Sequence, residues 1–350
     1  MNEFNNGLEK KFQFDFSAPS TSKIDLNKLK KFILKDKNPM IIFYGGEPLL
    51  EIEKIKKIIN LFKNTNVKFR MQTNAKLLNE LPINYLKKIG KILVSIDGNE
   101  KITNHNRGNG TYDLVLKNLK KARVRGYRGE IVARMTISQE FPKIYFQVKH
   151  LLRLKLFDSI HWQLDLGFYK NDFEIKKIKK FVKTYNKQIS KLTKFWKNNL
   201  KKGKVLKLYP FLGIFENILE DKPTKLMCGA GHSGYTITTN GKITACPIMN
   251  NIKNFYCGTL NSNPNKLKKI HIISPCTSCN YFKFCGGRCL YSNYAKLWPK
   301  QGQELICNTI KHTIEEIKKI TPEIKKLIKN KIISKNDFNY EKYFGPEIIP

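Results

Sequence analysis

Five short runs rich in β-branched and aromatic residues constrain this chain most. They are MIIFY (40–44), KFRMQTN (68–74), ILVSID (92–97), EIVARMTI (130–137) and SIHWQL (159–164). Around them lie stretches whose apolar residues recur every three or four positions: LNKLKKFILK (26–35), EIEKIKKIINLFK (51–63), LPINYLKKI (81–89), YDLVLKNLKKARV (112–124) and YFQVKHLLRLK (145–155). Strand-like runs alternating with helical ones mean right-handed βαβ units and a parallel sheet. Each run ends in polar or glycine residues, which suits a partial or complete α/β barrel with its chemistry at the C-terminal strand ends. Beyond it, a long polar helix is expected over 172–201, a bridging helix at 206–220 and a cysteine-rich region from about 228 to 310. A terminal helix over 304–330 and a short tail close the chain.

The 350 residues, 41% of them hydrophobic, suffice for one large domain and a smaller one. No run approaches the ~18 consecutive apolar residues of a transmembrane helix. The opening MNEFNNGLEKKFQFDFSAPS has no apolar segment of the signal-peptide kind, so a cytoplasmic protein is expected. The net charge of +37 raises the question of nucleic acid. The basic residues are overwhelmingly lysines spread over polar helix faces, as in KIKKIINLFK and EIKKIKKFVK, with eight arginines in all. Nucleic-acid sites gather arginine and aromatics in one region, so the charge reads as a bias toward Lys, Asn and Ile. It would still draw an acidic partner or peptide at low salt.

The strand ends carry polar groups that could meet one ligand. Gly45, Gly46 and Glu47 follow the first, Gln72, Thr73 and Asn74 end the second, and Ser95, Asp97 and Gly98 end the third. Arg134 and Thr136 lie on the fourth, and His161, Gln163 and Asp165 end the fifth. Glycines admit a ligand to the backbone, a carboxylate takes an amine, Ser or Asp takes ribose hydroxyls, and Arg takes a carboxylate. Singly, each has an ordinary alternative as a turn, a loop hydrogen bond or a structural ion pair. Together, in strand-end register, they favour a site.

All eight cysteines fall between Cys228 and Cys307. They read Cys228-x12-Gly241-x4-Cys246, then Cys276-x2-Cys279-x5-Cys285-x3-Cys289, then x17-Cys307, with Cys257 alone in the gap. A cytosolic chain does not keep structural disulfides, so the cluster argues for metal. Seven spaced thiolates exceed one tetrahedral ion and imply two centres. By spacing alone, structural zinc and iron–sulfur are both open.

The YGGEP stretch after the first run resembles the motif of radical S-adenosylmethionine (AdoMet) enzymes that meets the cofactor's amino group. The cysteine array resembles, almost position for position, the SPASM domain of that superfamily, and HNRGNGTYDLVLKNL (105–119) is similar as well. The resemblance covers about residues 40–310 and is nearest to peptide-modifying radical SAM enzymes of methanogenic archaea. It implies a partial (β/α)6 TIM-like barrel, its first strand apparently missing, followed by a small cysteine-rich iron–sulfur SPASM domain. The implied divisions are a barrel core over 1–205, a bridging helix over 206–227, the auxiliary-cluster domain over 228–310, and a C-terminal helix and tail over 311–350.

Residue by residue, the resemblance implies that Glu47, Gly45 and Gly46 take the cofactor's amino group, that Ser95 and Asp97 face its ribose, and that Arg134 takes its carboxylate. Gln72 and Asn74 would line the same site. Cys228, Cys246 and Cys289 would ligate one auxiliary 4Fe–4S cluster, and Cys276, Cys279, Cys285 and Cys307 a second. The first then has an open iron, or Cys257 fills it; an apolar residue is usual at that position, which favours Cys257 as a small buried hydrophobe. The family's catalytic 4Fe–4S cluster sits on a C-x3-C-x2-C loop ahead of GGEP, and these residues hold no cysteine before Cys228. Either the chain begins too late, and a third cluster belongs to a full-length form, or the cluster is truly lost.

In the family, one electron passed to the bound sulfonium gives a 5′-deoxyadenosyl radical that takes a hydrogen atom from a ribosomally made peptide or protein. The implied partners are such a substrate and an electron donor such as ferredoxin or flavodoxin. Asp165 is a candidate proton acceptor, with a structural carboxylate as the alternative. The rival reading is a non-catalytic iron–sulfur or zinc-binding module on the same fold. As written, the chain is expected to be inactive in cofactor cleavage.

Overall fold

The computed structural model describes residues 7–221 and 224–344. Helix α1 (Leu26–Ile33) is capped by Asp25, whose carboxylate accepts from Asn27 N and Lys28 N. The barrel then runs β1 (Met40–Phe43), α2 (Ile52–Leu61), β2 (Lys68–Thr73), α3 (Ile83–Leu86), β3 (Ile89–Ser95), α4 (Glu100–Arg107), α5 (Thr111–Val124), β4 (Glu130–Ile137), α6 (Ile144–Arg153) and β5 (Ser159–Leu164). The strands form one sheet in sequence order, every pair parallel. Residues 7–39 add no strand to it. A last parallel bridge, Ile160 to Leu208, extends the β5 edge by one residue and leads into α8 (Tyr209–Glu220), which follows α7 (Ile175–Leu200). The segment expected only to bridge domains thus packs on the barrel, with Phe211, Leu212, Ile214 and Phe215 in the main core.

The pleat sorts the strands into two faces. Met71, Ile92, Val94, Ile131, Ala133 and Trp162 pack outward into the helical core. The alternate residues form rows across the concave face, as in a barrel interior. Lowest is Arg70–Lys91–Glu130, then Gln72–Leu93–Val132–Ser159, then Ser95–Arg134–His161, with Thr136–Gln163 beside the exits. The C-terminal tail seals the bottom. Arg70 forks onto Glu341 (Nε–Oε2 2.7 Å, Nη2–Oε1 2.5 Å), while buried Lys91 holds Glu130 at 3.1 Å, Glu341 at 3.3 Å and the Tyr209 hydroxyl at 2.9 Å. Phe344 closes over Leu93 and Val132. The polar residues of the upper rows are left facing the open end.

The cysteine-rich region has a small antiparallel sheet, β6 (Thr236–Ile237), β7 (Lys242–Thr244) and β8 (Tyr256–Thr259), then α9 (Phe282–Cys285) and α10 (Leu290–Ala295). Helix α11 (Lys300–Lys329) lies along α7, with Asn186 on Asn308 at 2.8 Å and Ser190 on His312 at 2.9 Å. The division expected at 310/311 falls inside this continuous helix. The N-terminal segment, expected in the barrel unit, straps the cysteine-rich region instead. Phe14 bridges Ile252, Lys23 N donates to Thr239 O, and Asp15 takes Lys242 and the Tyr256 hydroxyl. Leu29 and Phe32 of α1 join that second core.

Candidate functional site

At the exit of β1, Gly45 has φ +141°, a backbone few side chains adopt. A Cβ added at Gly45 or Gly46 would meet no atom within 4 Å, so the rim here is open. Gly98 differs: a Cβ there would stand 2.3 Å from Gln147 Oε1, so that glycine serves packing, not ligand approach. Glu47 was expected to meet an amino group. Both its oxygens already take protein donors: Leu49 N at 3.0 Å and the Thr73 hydroxyl at 2.7 Å on Oε1, Asn74 N at 2.8 Å on Oε2. The carboxylate ties the β1 exit to the β2 exit and caps the turn at Pro48–Glu51. Asn74 contributes its backbone N–H to this brace, and its side chain accepts from Lys76 N at 2.9 Å. Gln72 lies one row below on the concave face.

Asp97 is buried and does not stand open as a ribose ligand would. Oδ1 holds Arg107 Nη2 at 2.7 Å and Thr136 N at 2.8 Å, and Oδ2 holds Asn106 Nδ2 at 3.1 Å. It links the β3 exit to the end of α4 and to β4. Ser95 is half-buried opposite Arg134. Arg134 is buried, with Nη2 on Gln163 Oε1 and Nη1 on Met135 O at 3.4 Å. Burial presses its pKa down, the Tyr44 phenol opposes this, and Arg107 adds to it. The Nε–H groups of Arg107 and Arg134 are both buried without a protein partner. Two neighbouring guanidinium groups with spare donors fit an anionic group such as a carboxylate. Sequence reasoning missed Arg107 as a site residue; the signal was the HNRG stretch, where the arginine ends a helix begun by the Asn99 cap.

Asp165 is half-buried at the exit of β5, near His161 and Gln163 on the same face. Burial first, then the neighbouring Asp172, raises its carboxyl above the usual range, while Arg288 pulls it down. A carboxyl poised this way can hold or release a proton at the concave end.

All eight cysteines are free thiols. Their electrostatic neighbours divide them. Burial raises Cys246, and Cys289 and Cys228 raise it further. Burial lifts Cys285 to about 12, with Cys276 and Cys307 adding to it, and Cys276 in turn feels Cys307 and Cys279. Cys246 thus lies near Cys228 and Cys289, and Cys276 near Cys279, Cys285 and Cys307. Cys257 stands outside both: burial pushes it up to about 11, and it donates to Phe255 O at 3.3 Å from inside β8. Several sulfurs already accept N–H donors. Cys246 takes the backbone of Ile248 and Met249, Cys285 that of Gly287 and Arg288, and Cys276 the Asn293 amide at 3.4 Å. Among the described residues no three His, Cys, Asp or Glu side chains are gathered as ligands of one ion. The donor set, all thiol with N–H donors turned to sulfur, is of the kind that holds iron–sulfur groups.

The sites adjoin. The half-exposed Tyr44 phenol, raised first by burial, feels both Arg134 and Cys246, which sets the first thiol group beside the β1 exit. Cys307 reaches the second group from α11, a helix otherwise packed on the barrel.

Residues 22–141 match the family model of the Radical SAM superfamily. Two uncharacterized proteins of Methanocaldococcus jannaschii are each 40% identical, over 70 and 63 residues, or 19% and 18% of this chain. The chain spans only about a quarter of those relatives, 24% and 22% of their lengths. Among solved structures, the anaerobic sulfatase-maturating enzyme anSMEcpe with bound AdoMet matches with a TM-score of 0.65 at 18% identity, over 89% of this chain and 93% of that one. SuiB of Streptococcus suis bound to S-adenosylmethionine matches with a TM-score of 0.53 at 14% identity, over 82% and 72%. At these identities the likeness is one of fold. Residues 22–141 are thus a Radical SAM superfamily domain, carried in a chain with the overall fold of the AdoMet-bound anSMEcpe.

Proposed function

We propose that this chain is the AdoMet-binding and auxiliary-cluster portion of a radical enzyme that modifies a ribosomally made peptide or protein. The observation that carries the reading is a concave strand-end site with unpartnered guanidinium donors in a chain whose thiols lie in mutual reach between Cys228 and Cys307. AdoMet, reduced by one electron, supplies a 5′-deoxyadenosyl radical able to take a hydrogen atom from a substrate.

The work of the chain's own residues is placement and exclusion of water. The open backbone at Gly45 and Gly46 receives the amino group. Arg134, joined by Arg107, takes the carboxylate. Ser95 faces the ribose, and Gln72 lines the floor. Glu47, Asp97 and the Asn74 backbone hold these groups in place. Cys228, Cys246 and Cys289 hold one auxiliary cluster, and Cys276, Cys279, Cys285 and Cys307 the other. Asp165 accepts a proton at the same end. anSMEcpe has been solved with AdoMet and a peptide, and SuiB with its precursor peptide SuiA, which supports a peptide substrate here. The net charge of +37 favours an acidic electron donor, such as flavodoxin or ferredoxin.

These 350 residues hold no cysteine before Cys228, so thiolates for a catalytic cluster are not supplied by them. That observation favours a second reading, a binding module that holds AdoMet and two clusters without cleaving the cofactor. Anaerobic reconstitution, AdoMet titration and a dithionite assay for 5′-deoxyadenosine test both. Bound AdoMet without 5′-deoxyadenosine is expected of this chain alone. Failure to bind AdoMet refutes both readings.

A further inference from the structure

Cys285-Gly286-Gly287-Arg288-Cys289 is an unusual stretch of backbone. Gly286, Gly287 and Arg288 are consecutively left-handed, at φ +64°, +97° and +55°. Neither glycine can be replaced without a clash: a Cβ on Gly286 would lie 2.3 Å from Lys225 O, and one on Gly287 2.7 Å from Ile272 Cγ1. A non-glycine residue with positive φ costs conformational energy, and such strain persists where a side chain must be aimed. Here it carries Arg288 out of the cysteine loop and into the barrel. The guanidinium is buried, stacks over Phe168 at 5.5 Å and gives Nη2 to Leu164 O at 3.2 Å and Leu166 O at 3.3 Å, at the β5 exit.

Those carbonyls anchor the group but do not balance its charge. Nε and Nη1 remain buried with no protein partner. The acidic groups in reach are Asp165 and three thiols, Cys289 of the first proposed set and Cys285 and Cys307 of the second. A buried cation without a matching negative charge is strongly unfavourable. Thiolates on iron carry negative charge, and hydrogen bonds and net charge near the sulfurs set how readily a cluster is reduced. We infer that Arg288 is the shared counter-charge of both auxiliary iron–sulfur sites, with Nε–H and Nη1–H donors left for sulfur acceptors, and that it makes both clusters easier to reduce. This rests on the two-cluster reading above. Each reduction adds one electron and moves no proton, so a fixed positive charge between the sites favours the reduced state of each.

The test is an anaerobic redox titration, followed by electron paramagnetic resonance, of the reconstituted full chain and its Arg288→Gln and Arg288→Lys variants. In Arg288→Gln both clusters should lose about tenfold or more in their one-electron reduction equilibrium, a shift of about 59 mV to more negative potential. Arg288→Lys should keep both near the parent values. Parent-like titration of Arg288→Gln, or a shift in one cluster alone, overturns the inference. If Arg288→Gln fails to take up iron while Arg288→Lys loads normally, the charge role stands; equal failure of both makes Arg288 a packing residue and overturns it. A parent chain that takes up no iron removes the two-cluster reading itself.

Discussion

Asp97 is the residue on which the concave end most depends, so its removal should be felt both in stability and in binding. The carboxylate is 1% exposed and holds Arg107, Asn106 and the Thr136 N–H, joining β3, α4 and β4. Breaking a buried ion pair by deleting one partner costs about 3–5 kcal/mol. Arg107 is 23% exposed at its side chain and can recover some water, which favours the low end. The orphaned Thr136 N–H restores about 1 kcal/mol or more to the cost. Asp97→Ala should therefore lose about 4 kcal/mol, and Asp97→Asn, which keeps an acceptor for Arg107, about half of that. Urea unfolding followed by the fluorescence of the buried Trp162 and Trp196 reads the barrel. AdoMet titration of the folded variants should show weaker binding, because Arg107 loses its anchor. A loss below about 1 kcal/mol in Asp97→Ala, the range of ordinary surface changes, would refute the role of this hub.

Three further outcomes are expected. Gly46→Ala should fold normally, since its Cβ meets nothing within 4 Å, yet lose AdoMet affinity by tenfold or more; unchanged affinity would separate the open rim from the cofactor. Cys285→Ala should lose about four irons per chain, and Cys257→Ala none, by metal analysis after reconstitution; iron loss in Cys257→Ala would make it the missing ligand. The Lys242 hydrogen bond holds the Asp15 carboxyl well below the usual range, so the strap's contribution is complete above about pH 4 and fades as pH falls toward the lowered folded value. Limited proteolysis should cut the N-terminal strap faster on acidification; in Asp15→Asn that dependence should be gone.

The parts legible from sequence were those written in local pattern. β4 and β5 fall where their runs begin and end, because both faces of each strand are largely buried and the β-branched and aromatic residues fill the whole span. β3 starts three residues before the expected Ile92, because Gly90 reads as a helix stop. In the fold it is a strand position where a Cβ would sit 2.7 Å from the Arg70 guanidinium. That early start leaves only Ile83–Leu86 of the helix expected over 81–89. α4 went unread because an eight-residue, mostly polar helix buries only Ile102 and Thr103. The candidate residues could be proposed as a group, since strand-end register is a sequence property. Their division of labour was not: Glu47 and Asp97 spend their oxygens inside the protein, on partners a sequence does not pair. Long-range closures were equally invisible. Arg288 meets carbonyls more than 120 positions away, Glu341 meets Arg70 across most of the chain, and the strap at Asp15 meets Lys242.

The most direct test of the central claim is metal and sulfide analysis of the anaerobically purified chain. Two auxiliary clusters on the two thiol sets require about eight irons and about eight acid-labile sulfides per chain, with little zinc. About two zinc ions with no labile sulfide would contradict the claim and make the cysteine-rich region a structural zinc domain.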